Sequence, residues 1–155
     1  MARRDRNLFT GLRVAAGAGG FGPDREGAEG RDLHRLTLGQ RIEHATPRTV
    51  TDGDRALYTA LYPTRFALAS SDEFASACGL SPAPVEDLIG FHVAFGKTVP
   101  DVSLNAVANL GYARVLFQRP VYPGATLTAE SEVIGLREPS DGKRGVGCVT
   151  SRGHN

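Results

Sequence analysis

The sequence predicts an α+β domain in which one long helix lies against a run of antiparallel strands. Two observations carry that expectation. The apolar residues follow a helical repeat up to Pro100 and extended, strand-like runs after it. Those runs are joined by turn signals, the plainest being Ser140-Asp141-Gly142-Lys143, where Asp-Gly suits a type I′ hairpin. A helix followed by turn-linked strands is the α+β pattern.

The chain has 155 residues, of which 41% are hydrophobic, enough for one packed domain and too many for global disorder. Eighteen basic residues against 17 acidic leave a formal charge of +1. That balance gives no electrostatic footprint for nucleic acid or an anionic membrane, so neither is expected as a partner. Cys78 and Cys148 are the only cysteines and stand in no CxxC or Cys/His cluster, which argues against a disulfide framework or a zinc site. No apolar run approaches the roughly 18–20 residues that span a bilayer. Met1 to Arg6 is basic, but Arg13 interrupts the apolar stretch behind it and no signal-peptide core forms. The expected location is the cytoplasm.

Residues 1–36 read as a flexible leader, since Gly17 to Gly30 is glycine-rich and lacks helical or strand periodicity. The folded domain is expected over 37–155. Thr51-Asp52-Gly53-Asp54 resembles a capping box, with Ala56, Leu57, Ala60 and Leu61 at helical spacing until Pro63. A short helix can begin at Ser70 or Ser71 and stop at Gly79. The longest helix is predicted over Pro84–Val99, with Pro84 in the first turn, apolar positions nearly all round, and Pro100 closing it. Strands are expected within 103–117, 126–136 and 145–151, with a turn at Arg119–Gly124.

Several motifs reduce to ordinary structure. Gly17-Ala18-Gly19-Gly20-Phe21-Gly22 matches GxGxxG as a string, but no apolar helical face follows to present its amides to a pyrophosphate. His34, His44, His92 and His154 show no metal-ligand spacing. His92 sits inside the apolar helix, where a hydrogen-bonded core histidine and a substrate-site residue are the two readings. Phe91 and Phe95 read as core, and Glu130 and Glu132 as a solvated strand face.

The stretch Phe95-Gly96-Lys97-Thr98-Val99-Pro100-Asp101-Val102-Ser103-Leu104-Asn105-Ala106-Val107-Ala108-Asn109-Leu110-Gly111-Tyr112 closely resembles the amino-terminal half of the mesaconyl-CoA hydratases (β-methylmalyl-CoA dehydratases), MaoC-type enzymes. Gly39-Gln40, His44-Ala45-Thr46-Pro47-Arg48-Thr49, Arg65-Phe66-Ala67-Leu68 and Val121-Tyr122-Pro123-Gly124 belong to the same pattern. The resemblance runs from Leu38 to Asn155 and leaves the leader uncovered.

The resemblance implies a hot-dog fold, a long central helix wrapped by a curved antiparallel sheet, and a chain of two such units. It also implies hydration and dehydration of an acyl-CoA thioester, with no metal or redox cofactor. The wider MaoC group uses an Asp and a His in a D-x-N-P-x-H loop, one group activating water and the other handling the α-proton. Here Thr64 stands at the Asp position, Phe66 at the Asn position and Ala69 at the His position, so no residue of this chain is assigned a catalytic role. The chain resembles the supporting half of a hydratase, ending before the first unit's last strand, so its strand after Gly145 is expected to lack a neighbour. Its expected partner is a second hot-dog unit or another copy of itself. Arg65, His92, Asn105 and Asn109, polar groups beside apolar runs, are the candidate substrate-binding residues at that interface. Capping and ladder hydrogen bonds account for these four equally well. The alternative function is a non-catalytic acyl-binding or scaffold domain that partners a separate hydratase.

Overall fold

A computed structural model of the chain describes residues 7–19, 36–63, 66–104, 106–137 and 144–155. The strands are β1 (Asn7–Gly19), β2 (Arg41–Thr49), β3 (Ala106–Tyr112), β4 (Leu116–Phe117), β5 (Thr126–Arg137) and β6 (Arg144–His154). The helices are α1 (Asp52–Leu61), α2 (Asp72–Ala77) and α3 (Asp87–Thr98).

Helix starts follow the sequence signals closely. Thr51 Oγ1 accepts from the Asp54 amide at 3.2 Å, and Asp54 Oδ2 accepts from the Thr51 amide at 2.9 Å. This reciprocal pair is the expected capping box, and it satisfies amides that α1 leaves free. Ser71 Oγ caps α2 by accepting from the Phe74 amide at 3.2 Å, and Gly79 stops it at a φ of 82°. The central helix departs from expectation at both ends. It starts at Asp87, not Pro84, because the Val85 amide is given to the Val121 carbonyl at 2.8 Å and that segment stays extended. Pro100 does not close it. A π-helical turn, Val99–Ser103, continues α3 past the proline, a local widening that accommodates the ring and the hydrogen bond its nitrogen cannot donate.

α3 is also not buried all round. Ile89, Phe91, Val93, Ala94 and Thr98 face the interior, while His92 and Leu88 are exposed. The sheet it packs on is antiparallel throughout, in the order β2-β5-β6-β1-β3, with β4 also paired to β1. β5 alternates as a half-buried strand must, with Leu127, Ala129, Ser131 and Val133 turned inward. The turn before it, Tyr122-Pro123-Gly124-Ala125, closes through the Ala125 amide and the Tyr122 carbonyl at 3.1 Å. Gly124 has a φ of 89°, as the third position of a type II turn requires. The expected extended run over 103–117 divides into the π-turn's end, β3 and β4, and the hairpin signal at 140–143 lies outside the described residues.

The largest difference concerns the leader. Asn7–Gly19 forms strand β1, which lies between β6 and β3. β6 therefore has β5 on one side and β1 on the other, contrary to the expectation that it lacks a neighbour. Backbone pairing is the physical reason. The strand holds three glycines among its 13 residues and a partial alternation, Leu8, Leu12 and Val14 at one parity and Phe9 at the other, and its amides and carbonyls complete a ladder as any others do. β1 shifts register against both β3 and β6.

The core has two adjoining parts under α3. Val50, Val85, Ile89, Val93, Val121 and Leu127 form one, and Leu36, Ile42, Phe91, Val102, Val133 and Val149 form the other. Phe91 stacks on Phe95 with ring centroids 5.7 Å apart, as core aromatics were expected to do.

Candidate functional site

Ionisable and hydroxyl groups converge where the end of α3 meets the sheet. His44, on the inward face of β2, has a fully buried ring. Its Nδ1 lies 2.8 Å from Asp101 Oδ2 on the π-turn, and its Nε2 lies 2.7 Å from Ser131 Oγ on β5. Ser131 Oγ is in turn 2.7 Å from Ser151 Oγ on β6. A carboxylate only accepts, so Nδ1 carries a proton. With the ring neutral, Nε2 accepts from the Ser131 hydroxyl, which accepts from Ser151.

The order Asp101–His44–Ser131 is that of a nucleophilic triad, but access decides against that use. Ser131 is 3% exposed and Ser151 is fully buried, so no substrate carbonyl reaches either hydroxyl. The chain of bonds is a clamp that ties four elements together. Among the described residues it leaves no buried side-chain nitrogen or oxygen without a partner. Sequence reading missed it. The available signal was His44 two residues after Ile42, on the inward face of a strand, but its partners lie 57 and 87 positions away.

Beside the clamp, β2 bulges between His44 and Arg48, and Thr46 takes a φ of 61°. Lys97 Nζ donates to the Thr46 carbonyl. Lost hydration, and secondarily the charge of Arg48, lowers the Lys97 pKa from its usual value.

A cavity of about 350 Å³ opens at the other end of α3. A 3₁₀ turn, Ala67–Ala69, forms one wall, the start of α3 with Glu86 and Asp87 a second, and Phe117 to Pro120 a third. Phe66 and Ala69, which occupy two positions of the proton-transfer loop in the resemblance, both line it. Neither side chain can move a proton. Partial burial, with the neighbouring Glu86 charge second, raises the Asp87 pKa above its ordinary value.

Of the residues proposed for substrate contact, Arg65 and Asn105 lie outside the described residues, as does Thr64. His92 and Asn109 are both exposed. The His92 ring sits 5.4 Å from Phe91, and Asn109 Nδ2 donates to the Tyr112 hydroxyl at 2.5 Å. Tyr112 itself packs edge-on against Phe91, with centroids 5.5 Å apart. The two polar residues thus flank one aromatic pair, where α3 meets β3 at the end of the strand order.

The model of the MaoC-like domain family matches residues 34–152. The chain belongs to the MaoC-like domain family. Within that family it is 63% identical over 126 residues to the mesaconyl-CoA hydratase of Cereibacter sphaeroides, a match covering 81% of this chain and 37% of the relative. It is 62% identical over 126 residues to the β-methylmalyl-CoA dehydratase of Chloroflexus aurantiacus, covering 36% of that protein. The chain thus spans just over a third of the length of these curated relatives. Among solved structures, one named as a MaoC-domain dehydratase from Chloroflexus aurantiacus superposes with a TM-score of 0.72 at 45% identity. That superposition covers 85% of this chain and 42% of the other. A Mycobacterium tuberculosis protein with a double hot-dog fold superposes over 81% of this chain and 44% of its own, with a TM-score of 0.64 at 20% identity. The MaoC-like fold, a hot-dog with α3 against an antiparallel sheet, is the one the sequence predicted. No helix among the described residues is long and apolar enough to cross a membrane.

Proposed function

We propose that this chain is the supporting hot-dog unit of an acyl-CoA hydratase/dehydratase of the mesaconyl-CoA hydratase type, acting in the cytoplasm on an acyl-CoA thioester without a cofactor. The observation that carries the reading is 63% identity to a protein named mesaconyl-CoA hydratase, extending over 81% of the chain. The supporting role rests on chemistry. Hydration of an enoyl thioester needs one group to activate water and another to handle the α-proton. Ala69 supplies a methyl group where an imidazole is required, and it is buried. A second hot-dog unit, or another copy of this chain, is therefore the proposed partner. His92 and Asn109, with Arg65 and Asn105, are the proposed substrate-side residues of that interface.

The test uses mesaconyl-CoA and the loss of enoyl-thioester absorbance. The 155-residue chain alone is expected to give no turnover, and the same chain with a catalytic hot-dog unit, fused or in trans, is expected to give turnover. Robust activity of the chain alone overturns the supporting role. Silence of the completed pair with mesaconyl-CoA and related enoyl thioesters overturns the hydratase reading.

A further inference from the structure

We propose that Lys97 is a modification site, its ε-amine accepting the acyl group of an acyl thioester to form an amide without help from a catalytic unit. The chain carries 18 basic residues, and all but Lys97 and Lys143 are arginine. A guanidinium keeps its proton at any ordinary pH and offers no nitrogen lone pair. An ammonium gives up its proton far more readily, so these two side chains are the ones able to act as nitrogen nucleophiles.

Lys97 is half-buried in the last turn of α3, where the helix packs on β2. Its Nζ donates to the Thr46 carbonyl, inside the bulge between His44 and Arg48. Among the described residues no carboxylate pairs with it. Asp101, four positions on, is engaged with His44, and Asp54 is engaged with Arg48. An ammonium here has three N–H donors for one carbonyl, with reduced hydration and the Arg48 cation beside it. A neutral amine gives one N–H to Thr46 and keeps its lone pair for attack. Lost hydration and a neighbouring cation are the two circumstances that activate a lysine, and at Lys97 they act together. The neutral nitrogen attacks the thioester carbonyl carbon. A C–N bond forms, the C–S bond breaks, and the sulfur leaves as a thiol carrying the proton that the nitrogen gives up. The amide product still has one N–H, so the contact with Thr46 survives while the charge beside Arg48 disappears. This reaction uses neither the cavity at the start of α3 nor a partner unit, so it is independent of the proposed hydratase activity.

The experiment incubates the 155-residue chain at neutral pH with S-acetyl-N-acetylcysteamine, a small uncharged thioester, and separately with acetyl-CoA. Peptide mass spectrometry follows each lysine, with Lys143 as the internal reference and Nα-acetyl-lysine as the free one. Lys97 is expected to acylate about threefold faster than Nα-acetyl-lysine or more. Each unit of pKa lowering raises the neutral fraction about tenfold, and weaker nucleophilicity returns part of that gain. Arg48→Gln should slow Lys97 relative to Lys143 in the same molecule, and Arg48→Lys, which keeps the charge, should restore the ratio. The Arg48 side chain is 53% exposed, and circular dichroism checks that both variants fold. The uncharged thioester keeps this result apart from the hydratase reading. Labelling by acetyl-CoA alone would place the reaction at a coenzyme site and overturn the proposal. A Lys97 rate no greater than that of Nα-acetyl-lysine overturns it, as does an unchanged ratio in Arg48→Gln.

Discussion

His44 Nδ1 lies 2.8 Å from Asp101 Oδ2, joining the second strand to the turn that follows the central helix. The other ring nitrogen continues through Ser131 to Ser151, so four elements share one chain of bonds. Removing a middle member strands both neighbours. Ser131→Ala is expected to cost about 1–3 kcal/mol, the penalty for leaving buried polar groups unpaired. Ser151→Ala alone should cost less, and the double variant should fall short of the sum by about 0.5 kcal/mol or more. Urea unfolding of the four proteins measures this, and strict additivity counts against a continuous chain.

The capping box sets an acid-sensitive part of the stability. The Thr51 amide is the largest cause holding the Asp54 pKa below 3.8, its ordinary value. A depressed folded pKa means stability present above the unfolded value and lost as pH falls through the folded one. Asp87 has the opposite sign: its pKa is raised, so its charged form opposes folding as pH rises past 3.8. Asp54→Asn should therefore flatten the loss of stability between neutral pH and pH about 3, while Asp87→Asn should steepen it. Thr51→Ala should cost about 1 kcal/mol at neutral pH. Melting temperatures across that range decide, and an unchanged acid limb in Asp54→Asn refutes the assignment.

Thr46 holds a φ of 61°, a left-handed conformation that disfavours β-branched residues by about 1–2 kcal/mol. Glycine takes that conformation freely, but its unfolded chain has more entropy to lose, about 0.5–1 kcal/mol. Thr46→Gly is accordingly expected to be neutral or mildly stabilising, unlike the same change elsewhere in a strand. A loss beyond about 1 kcal/mol shows that the bulge does not require this backbone angle.

How much of this was legible depends on whether the signal is local. The capping box at Thr51, the Ser71 cap and the turn at Gly124 are each written within four residues, and each forms where expected. The central helix and the strands around it are periodic, so their existence was readable. Their ends were not. The start of α3 is fixed by Val85 pairing with Val121, a contact 36 positions away. β1 was less legible, since Leu8, Leu12 and Val14 alternate along it but Phe9 falls at the opposite parity and the glycine-rich run from Gly17 follows directly. The clamp was hidden because Asp101, Ser131 and Ser151 carry no motif until the fold assembles them around His44. Loop chemistry at Phe66 and Ala69 was legible in the opposite sense, through side chains that cannot transfer protons.

That last point yields the prediction with the sharpest outcome. Thr64→Asp with Ala69→His restores both residue types that the proton-transfer loop of the MaoC group carries. The double variant is still expected to give no measurable hydration of mesaconyl-CoA. Ala69 is 6% exposed on a short 3₁₀ turn that lines the cavity, so an imidazole there projects into a space not shaped to its ring. A histidine admitted on those terms takes whatever rotamer fits. Acid–base catalysis needs heavy atoms within hydrogen-bond reach of the reacting proton, and misplacement by about 1 Å can cost a hundredfold in rate. The cavity walls are largely apolar, Phe66, Leu68 and Leu80 among them, and the two carboxylates that line the cavity, Glu86 and Asp87, stand at the start of α3. A catalytic histidine is positioned by a hydrogen bond to its second nitrogen, as Asp101 positions His44. The expected result is a folded or mildly destabilised protein with no turnover, assayed by enoyl-thioester absorbance beside its circular dichroism. Turnover by the double variant alone would show that this unit needs only the two residues, and that the supporting role in the proposed function is a matter of side chains and not of architecture.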